Sequence, residues 1–314
     1  MGWFLSFLYS QLFVTLSKPS EDFTGQTIII TGSNTGLGLE AARHISELNA
    51  SLVVLAVRNE SKGAAAKQSI LASTGRHSSS IEVWDLDLQS YESVKAFENR
   101  VNKLKRLDAV LENAGFMTKY FRVVGGFEST ITTNVISTFL LALILLPKLK
   151  ESATKFNTKP RLSIVASDLH FVAKFPEGKA ENIFDVLNDE KSAIMSMERY
   201  AVSKLIVVFG VRELSTLMTQ NAKSGFSEVI INCLTPGACR SGFDRESTGA
   251  KRFIFEIMQT AIARTTEAGS RTLVAGVAAG EESHGKYMAD FQVAEYVYTF
   301  PNFLYPGNKT RLSQ

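Results

Sequence analysis

The chain has few of the residues that mark disulfide-rich or metal-binding proteins. Two of its 314 residues are cysteine, Cys233 and Cys239, and they lie six positions apart with no second pair. A disulfide framework or a metal site is therefore not expected, whereas a reducing, cytoplasmic compartment is. The excess of positive charge is also small, at +3, and is spread along the chain. No basic stripe of the kind that binds nucleic acid is present.

Long hydrophobic runs are absent too, with a partial exception at the start of the chain. Residues 3–16 are mostly apolar, but Ser6, Ser10, Gln11 and Thr15 interrupt them at helical spacing. The stretch is short for a membrane span and lacks the basic leader and cleavage site of a signal peptide. We predict an N-terminal apolar helix within residues 1–20. Packing on the protein's own surface is favoured because its polar stripe has no Lys or Arg, and weak association with a membrane surface is the alternative.

The chain does have a regular alternation of strand-like and helix-like segments. Strands are predicted at Thr27–Thr31, Leu52–Val57, Ile81–Asp85, Ala109–Glu112, 161–166, 229–234 and 286–288. Most are continuous apolar runs, which are typical of parallel strands buried on both faces. Repeated β-α-β units with right-handed crossovers predict a single α/β domain over residues 21–314. Its architecture would be a doubly wound parallel sheet, a Rossmann fold, with helices on both faces.

A glycine-rich loop joins the first strand of this domain to the helix that follows. Its sequence is T-G-S-N-T-G-L-G. A dinucleotide site needs such a loop, because glycine permits the tight turn and the close approach of a pyrophosphate to free N–H groups at the helix start. An ordinary strand–helix turn is the alternative. The predicted phosphate-binding residues are Gly32, Ser33, Asn34, Thr35, Gly36, Leu37 and Gly38.

The end of the second strand predicts which dinucleotide binds. An Asp or Glu at this point would bind the 2′-hydroxyl of NAD, but the strand ends in L-A-V-R-N, with Arg58 and no acid. A guanidinium matches a 2′-phosphate through paired N–H bonds. NADP is therefore favoured over NAD, and a solvated arginine at a strand end is the alternative.

Polar and glycine motifs follow the later strands in a fixed order. Tyr200 and Lys204 are four positions apart and share one helix face. In its order the series closely resembles the short-chain dehydrogenase/reductase family, from about Gly25 to Met288. The segments that carry the resemblance are the glycine loop, N-A-G at Asn113–Gly115, Asn134, Ser167, Tyr200, Lys204 and P-G at Pro236–Gly237. The L-A-V-R-N strand end and the long Ser167-to-Tyr200 spacing are most similar to the retinol-dehydrogenase-like branch, and residues 268–273 and 285–287 to fungal members of secondary metabolism.

The resemblance implies hydride transfer between NADP and a secondary alcohol or ketone, with four catalytic residues. Tyr200 would be the proton donor or acceptor, and Lys204 would lower its pKa and bond the nicotinamide ribose. Ser167 would hold the substrate oxygen, and Asn134 would hold a water. The further cofactor-binding residues implied are Asp87, Asn113, Ala114, Gly115, Pro236, Gly237 and Ser241, besides Tyr200 and Lys204 themselves.

Some residues depart from the family's pattern or have an unremarkable expected role. Glu112 replaces the first Asn of N-N-A-G, and a buried acid at this point would need a partner. Ala166 replaces a second Ser, which leaves Ser167 as the nearby hydroxyl. His170 is expected to be a loop histidine with no special role, with a contact to the substrate as the alternative, and Cys239 is expected to be a small apolar filler near the cofactor.

Two variable segments, near residues 168–199 and 238–265, are predicted to close the substrate pocket. Both are rich in Phe and Met, which favours an apolar carbonyl or alcohol substrate, although these side chains would also serve to pack the helices. The leading hypothesis is an NADP-dependent oxidoreductase of secondary-metabolite biosynthesis. A membrane-associated retinoid or lipid carbonyl reductase and a non-catalytic NADP-binding regulator are the alternatives. A homodimer is compatible with all three.

Overall fold

A mostly parallel sheet forms the centre of the molecule. The computed structural model describes residues 3–222, 228–240 and 262–294. Its strands are β1 (Thr27–Thr31), β2 (Leu52–Val57), β3 (Ile81–Asp85), β4 (Ala109–Glu112), β5 (Val123–Val124), β6 (Phe127–Glu128), β7 (Arg161–Val165), β8 (Ile230–Leu234), β9 (Tyr287–Ala289) and β10 (Gln292–Val293). Eight of these form one sheet in the order β10-β9-β8-β7-β4-β1-β2-β3. The α/β Rossmann fold is thereby confirmed.

Helices cover both faces of this sheet. They are α1 (Trp3–Phe13), α2 (Gly36–Glu47), α3 (Glu60–Thr74), α4 (Tyr91–Val101), α5 (Ser129–Phe156), α6 (Ile183–Leu187), α7 (Met197–Gln220) and α8 (Thr266–Ala278). One core contains Val110 with Phe97, Leu145 and Val207 from α4, α5 and α7. The other core, on the opposite face, contains Ile28, Leu55 and residues of α2 and α8. Strand residues alternate between the two cores because successive side chains point to opposite faces.

Two strand pairings depart from the predicted parallel pattern. β10 is antiparallel to β9, and the turn between them has positive φ at both Asp290 and Phe291 (49° and 69°), as a two-residue hairpin requires. β5 and β6 form a separate antiparallel pair after β4. Each of these strands has two or three residues, too few to show alternation in a sequence.

Helix α5 is long and apolar and contains an irregular turn. It is the one helix in the described part of the chain whose length and composition would allow it to cross a membrane, but 72% of its apolar window is buried inside the fold. Burial to this extent is typical of a helix in the core of a folded domain. The residues Thr132–Ser137 form a π-helical turn, a feature that frequently occurs at functional sites. Asn134 lies in this turn.

The sheet topology brings the predicted motifs together at one edge. β1 pairs in parallel with β2 and β4, and β4 with β7. β7 in turn pairs in parallel with β8. Parallel strands end at the same edge, so the segments that follow them all lie along it. These segments are the glycine loop, Arg58, Asn113–Gly115, Ser167 and Pro236–Gly237.

The N-terminal helix α1 packs on the protein's own surface. Arg264 donates to the Ser10 carbonyl at 2.8 Å, and Arg271 donates to the Leu16 carbonyl at 2.5 Å. The Ser10 hydroxyl donates to Asp290 at 2.5 Å. Gln11 is buried, whereas the outward side chains of this helix, such as Phe13, are exposed. The structure therefore has the arrangement that the sequence favoured, in which this helix packs on the protein's own surface.

Candidate active site

The glycine loop has the backbone shape of a phosphate cradle. Gly32 and Gly36 have positive φ (65° and 60°), which favours glycine. A Cβ at position 38 would lie 2.7 Å from the Gly32 carbonyl oxygen, which is too close for a side chain. Glycine at this position therefore allows α2 to pack this near the turn. Thr35 gives no side-chain cap to α2, and the N–H groups of its first turn remain available to an anion.

The N-A-G segment is hydrogen-bonded directly to this loop. The Thr31 hydroxyl accepts from the backbone N–H groups of Asn113 and Ala114 at 3.0 and 2.9 Å. The Asn113 side chain donates to the carbonyls of Thr31 and Gly32 at 2.9 and 3.3 Å. Asn113 and Ala114 thus fix the glycine turn. Their predicted contact with a cofactor stays a prediction.

Two residues that follow the neighbouring strands β2 and β3, Arg58 and Asp87, fit the adenosine part of a dinucleotide. Arg58 directly follows β2, is exposed, and forms no ion pair within the described ranges. Asp87 is half-buried, and its carboxylate accepts from the Gln89 N–H at 2.9 Å. An exposed guanidinium without an ion pair fits a cofactor with an additional phosphate.

Tyr200, Ser167 and Lys204 come together at the carboxyl edge of β7. The side chains of Ser167 and Tyr200 are hydrogen-bonded to each other. Lys204 Nζ donates to the Val165 carbonyl at 2.6 Å and lies 5.6 Å from the centre of the Tyr200 ring. Tyr200 and Lys204 are both buried. The structure therefore brings together three of the four predicted catalytic residues through direct contacts or one helix turn.

The proton affinities of these two side chains are set mainly by burial. Burial raises the pKa of Tyr200, and the nearby Asp168 carboxylate raises it further, while the Ser167 hydrogen bond lowers it. The net pKa of Tyr200 in the ligand-free protein therefore lies above its ordinary value, and the lowering of this pKa by Lys204 stays a prediction. Burial lowers the pKa of Lys204 to about 8. At neutral pH the Tyr200 hydroxyl therefore keeps its proton.

Asn134 connects the loop after β4 to the helix that contains Tyr200. Its amide nitrogen donates to the Phe116 carbonyl at 3.0 Å and to the Ser203 hydroxyl at 3.1 Å, and its oxygen accepts from the Phe116 N–H at 3.0 Å. The side-chain donors of Asn134 are therefore used by the protein. This gives the residue a bracing role, and the predicted water remains a prediction.

Two residues that hold Ser167 in place were not predicted as functional. His170 is buried, and its Nδ1 donates to the Ser167 carbonyl at 2.6 Å. Burial lowers the His170 pKa to about 4, so the ring is neutral near pH 7. Asp168 accepts from the Tyr287 hydroxyl at 2.9 Å and from the Thr235 hydroxyl at 3.0 Å. The sequence analysis expected a loop position for His170, and no sequence pattern indicated its burial or its hydrogen bond to Ser167.

Glu112 has no partner in the described part of the chain. It is buried, and neither carboxylate oxygen has a hydrogen bond. Desolvation raises its pKa well above the usual value for Glu. The sequence analysis expected a partner for Glu112, and the described residues provide none. The raised pKa favours the neutral carboxyl, whose burial costs much less free energy than burial of a carboxylate.

The P-G turn completes the site at the end of β8. Gly237 has φ +73°, and its N–H donates to the Thr235 hydroxyl at 3.1 Å. Cys239 is buried and close to Gly269 of α8, as expected of a small filler. Ser241 and most of the predicted closing segment 238–265 lie outside the described residues.

Comparison with known proteins gives the family. The family described as short chain dehydrogenase matches residues 26–156. The short-chain dehydrogenase anuD of Penicillium roqueforti is 47% identical over 291 residues, covering 93% of this chain and 76% of the relative. The chain belongs to the short-chain dehydrogenase/reductase family. The short chain dehydrogenase/reductase dmxR8 of Cryptosporiopsis is 44% identical, covering 92% and 88%. The predicted resemblance to fungal members is confirmed, while the retinol-dehydrogenase-like branch stays a prediction.

Solved structures agree with the fold of this short-chain dehydrogenase/reductase. A short-chain type dehydrogenase/reductase from Mycobacterium marinum has a TM-score of 0.64 at 17% identity, covering 85% of this chain and 94% of the other. A short-chain dehydrogenase from Sphingobium yanoikuyae, solved in complex with NADPH, has a TM-score of 0.58 at 18% identity, covering 80% and 84%. At these identities the likeness concerns the fold alone.

Proposed function

We propose that this short-chain dehydrogenase/reductase reduces a ketone of an apolar metabolite, or oxidises the matching secondary alcohol, with NADP as its cofactor. The observation that carries the proposal is the hydrogen-bonded pair of Ser167 and Tyr200, with the Lys204 ammonium on the same helix. The fungal relatives support a role in secondary metabolism. A non-catalytic regulator has no need of a buried Tyr–Ser–Lys arrangement.

The arrangement can supply the proton that carbonyl reduction requires. NADPH, when bound, supplies the hydride for the carbonyl carbon. Ser167 holds the carbonyl oxygen by a hydrogen bond, and Tyr200 donates its hydroxyl proton to that oxygen. The Lys204 ammonium, one helix turn away, stabilises the phenolate left on Tyr200. In alcohol oxidation the same proton returns to Tyr200.

Turnover with a panel of apolar ketones tests this proposal. NADPH oxidation is followed at 340 nm for the wild-type chain and for Tyr200→Phe, which removes the hydroxyl and little volume. We expect turnover to fall at least about 10²-fold while NADPH affinity is retained. Tyr120→Phe is the matched control, because Tyr120 is exposed. Near-normal turnover by Tyr200→Phe would contradict the proton-transfer role and favour the regulator.

The preference for NADP over NAD is proposed from Arg58 and the absence of an acid beside it. Arg58→Ala should weaken NADPH binding by about 1.5–3 kcal/mol, the scale of a hydrogen bond to a charged group, and leave NADH binding nearly unchanged. Equal losses for both cofactors, measured by fluorescence titration, would exclude a contact with the 2′-phosphate.

A second candidate function is a membrane-surface reductase of retinoid or lipid carbonyls. It is favoured by the outer face of α1, where five large apolar side chains are exposed: Phe4, Leu5, Tyr9, Leu12 and Phe13. Such a face can insert into the headgroup region of a bilayer. Flotation with phosphatidylcholine vesicles should be lost in the Phe4→Ser/Phe13→Ser double variant. No flotation of the wild-type chain would remove this candidate.

A further inference from the structure

Asp168 directly follows Ser167 and accepts hydrogen bonds from two hydroxyl groups on other strands. Its Oδ1 accepts from the Tyr287 hydroxyl at 2.9 Å, and its Oδ2 accepts from the Thr235 hydroxyl at 3.0 Å. An ionised carboxylate is an acceptor-only group, so two donors suit it. Burial raises the pKa of Asp168 from its ordinary value, whereas these two bonds lower it. The two bonds therefore favour a carboxylate at this position.

The two bonds join the ends of three neighbouring strands. Asp168 comes just after β7, Thr235 follows β8, and Tyr287 begins β9. β7 pairs with β8, and β8 pairs with β9, in parallel. The Thr235 hydroxyl also accepts from the Gly237 N–H at 3.1 Å. Asp168 thus ties the segment after β7 to the P-G turn after β8.

The position of Ser167 depends on the same segment. The Ser167 hydroxyl accepts from the Leu169 N–H at 3.2 Å, and its carbonyl accepts from the His170 N–H at 3.1 Å. The Ser167 side chain is also hydrogen-bonded to that of Tyr200. A shift of Asp168 would therefore move the turn that holds Ser167 against Tyr200.

The charge of Asp168 acts on Tyr200 as well. The carboxylate is near enough to raise the pKa of the Tyr200 hydroxyl. The other ionisable groups that interact electrostatically with Asp168 in the described ranges are Arg264, Asp290 and Cys239. Arg264 and Asp290 form an ion pair at 2.8 Å, so their charges oppose each other, and burial raises the pKa of Cys239 to about 12. Asp168 is thus the negative charge that acts on Tyr200 without a cation bonded to it.

We infer that Asp168 is a positioning residue for the reaction: it clamps Ser167 to the turn after β8, and its negative charge keeps Tyr200 in the protonated form from which ketone reduction starts. The inference rests on the proposed function. It adds a residue that contacts neither the carbonyl nor the hydride, and that acts through Ser167 and Tyr200.

The pH dependence of alcohol oxidation tests the effect of the charge. The substrates are 1-tetralone and 1-tetralol, or the ketone of the panel that the wild type reduces fastest and its alcohol. Asp168→Asn keeps the shape and removes the charge, and Asp168→Ser removes the charge with a smaller side chain. Oxidation needs the Tyr200 phenolate to take the proton of the alcohol. The rising limb of kcat/KM for the alcohol, at saturating NADP, should therefore move to lower pH by about one unit, the scale of one neighbouring charge.

Two variants that keep the carboxylate test the clamp. Tyr287→Phe and Thr235→Val each remove one hydrogen bond to Asp168. Both should lower kcat for ketone reduction at least about 3-fold, because Ser167 is held less precisely, and both should keep the rising limb of the wild type. Asp22→Asn, at an exposed position before β1, should match the wild type in kcat and in pH profile.

Each contrary outcome has a definite meaning. An unshifted rising limb in folded Asp168→Asn and Asp168→Ser would overturn the inference and leave the proposed function intact. An equal shift in Tyr287→Phe, or wild-type kcat in both Tyr287→Phe and Thr235→Val, would also overturn it. If thermal melting shows that neither charge-removing variant folds, the carboxylate serves the fold itself and the inference is overturned. A wild-type chain that turns over no ketone of the panel would overturn the proposed function as well.

Discussion

Replacing Glu112 by Gln should make the protein more stable at neutral pH. Glu112 is buried without a partner, and desolvation raises its pKa well above the unfolded value of 4.5. The folded state therefore keeps a proton that the unfolded state releases as the pH rises. Stability from this group is fully present below pH 4.5 and declines above it, until the folded carboxyl ionises as well.

The size of the effect follows from proton linkage. Within the window where the folded carboxyl is protonated and the unfolded one is not, the free energy of unfolding falls by about 1.4 kcal/mol per pH unit. Two pH units inside this window therefore amount to roughly 2.7 kcal/mol. Glu112→Gln has nearly the same shape but does not titrate, so it lacks this slope.

Urea unfolding at pH 5.5, 6.5 and 7.5, followed by tryptophan fluorescence, measures the difference. Trp84 is buried in the core, so its emission should report unfolding. The gap in unfolding free energy between Glu112→Gln and the wild type should widen as the pH rises. Glu98→Gln, at an exposed position on α4, should follow the wild type. Parallel curves for Glu112→Gln and the wild type would refute the reasoning.

Three further predictions concern Lys204, Gly276 of helix α8 and the hydrogen bond of Tyr287 to Asp168. Because the pKa of Lys204 is lowered to about 8, its ammonium is lost as the pH rises through 8, and kcat/KM for ketone reduction should fall over the same pH range. Lys204→Arg stays charged and should not show this fall. If both proteins show it, the fall belongs to another titrating group. Gly276→Ala should lower stability by about 1–3 kcal/mol through overpacking, since a Cβ would collide with Leu234; an unchanged melting temperature would contradict this. Tyr287→Phe removes a hydrogen bond to Asp168 and should cost about 1.5–3 kcal/mol in urea unfolding, whereas a loss below about 0.5 kcal/mol would show that this bond has little weight.

The sequence predicted the sheet closely because its strands are short, continuous apolar runs. β1 to β4 begin and end where predicted, β7 and β8 differ by one residue at one end, and β9 is shifted by one residue at both ends. The β5–β6 pair and β10 were missed, since two residues carry no period. The π turn at Thr132–Ser137 has no composition of its own and was also invisible in the sequence.

The order of the motifs predicted which residues meet, but it did not predict their proton affinities. A Tyr and a Lys one turn apart indicate proximity, whereas the Tyr200 pKa depends on how many atoms exclude water around it. The same limit applies to His170, which reads as a loop residue and proves to be a buried donor to Ser167. Burial depends on the assembled fold, and the sequence around a single polar residue does not predict whether that residue is buried.

The bond between Ser10 and Asp290 joins residues 280 positions apart. During synthesis α1 leaves the ribosome well before its docking partners Arg264, Arg271 and Asp290. Until those partners are made, the inner face of the helix, which contains Gln11, has nothing of its own chain to cover it. The nascent protein is therefore prone to association through this helix, and α1 can dock only after these partners are made. A fusion partner at the N-terminus that delays or blocks this step should lower the yield of active protein more than the same partner at the C-terminus.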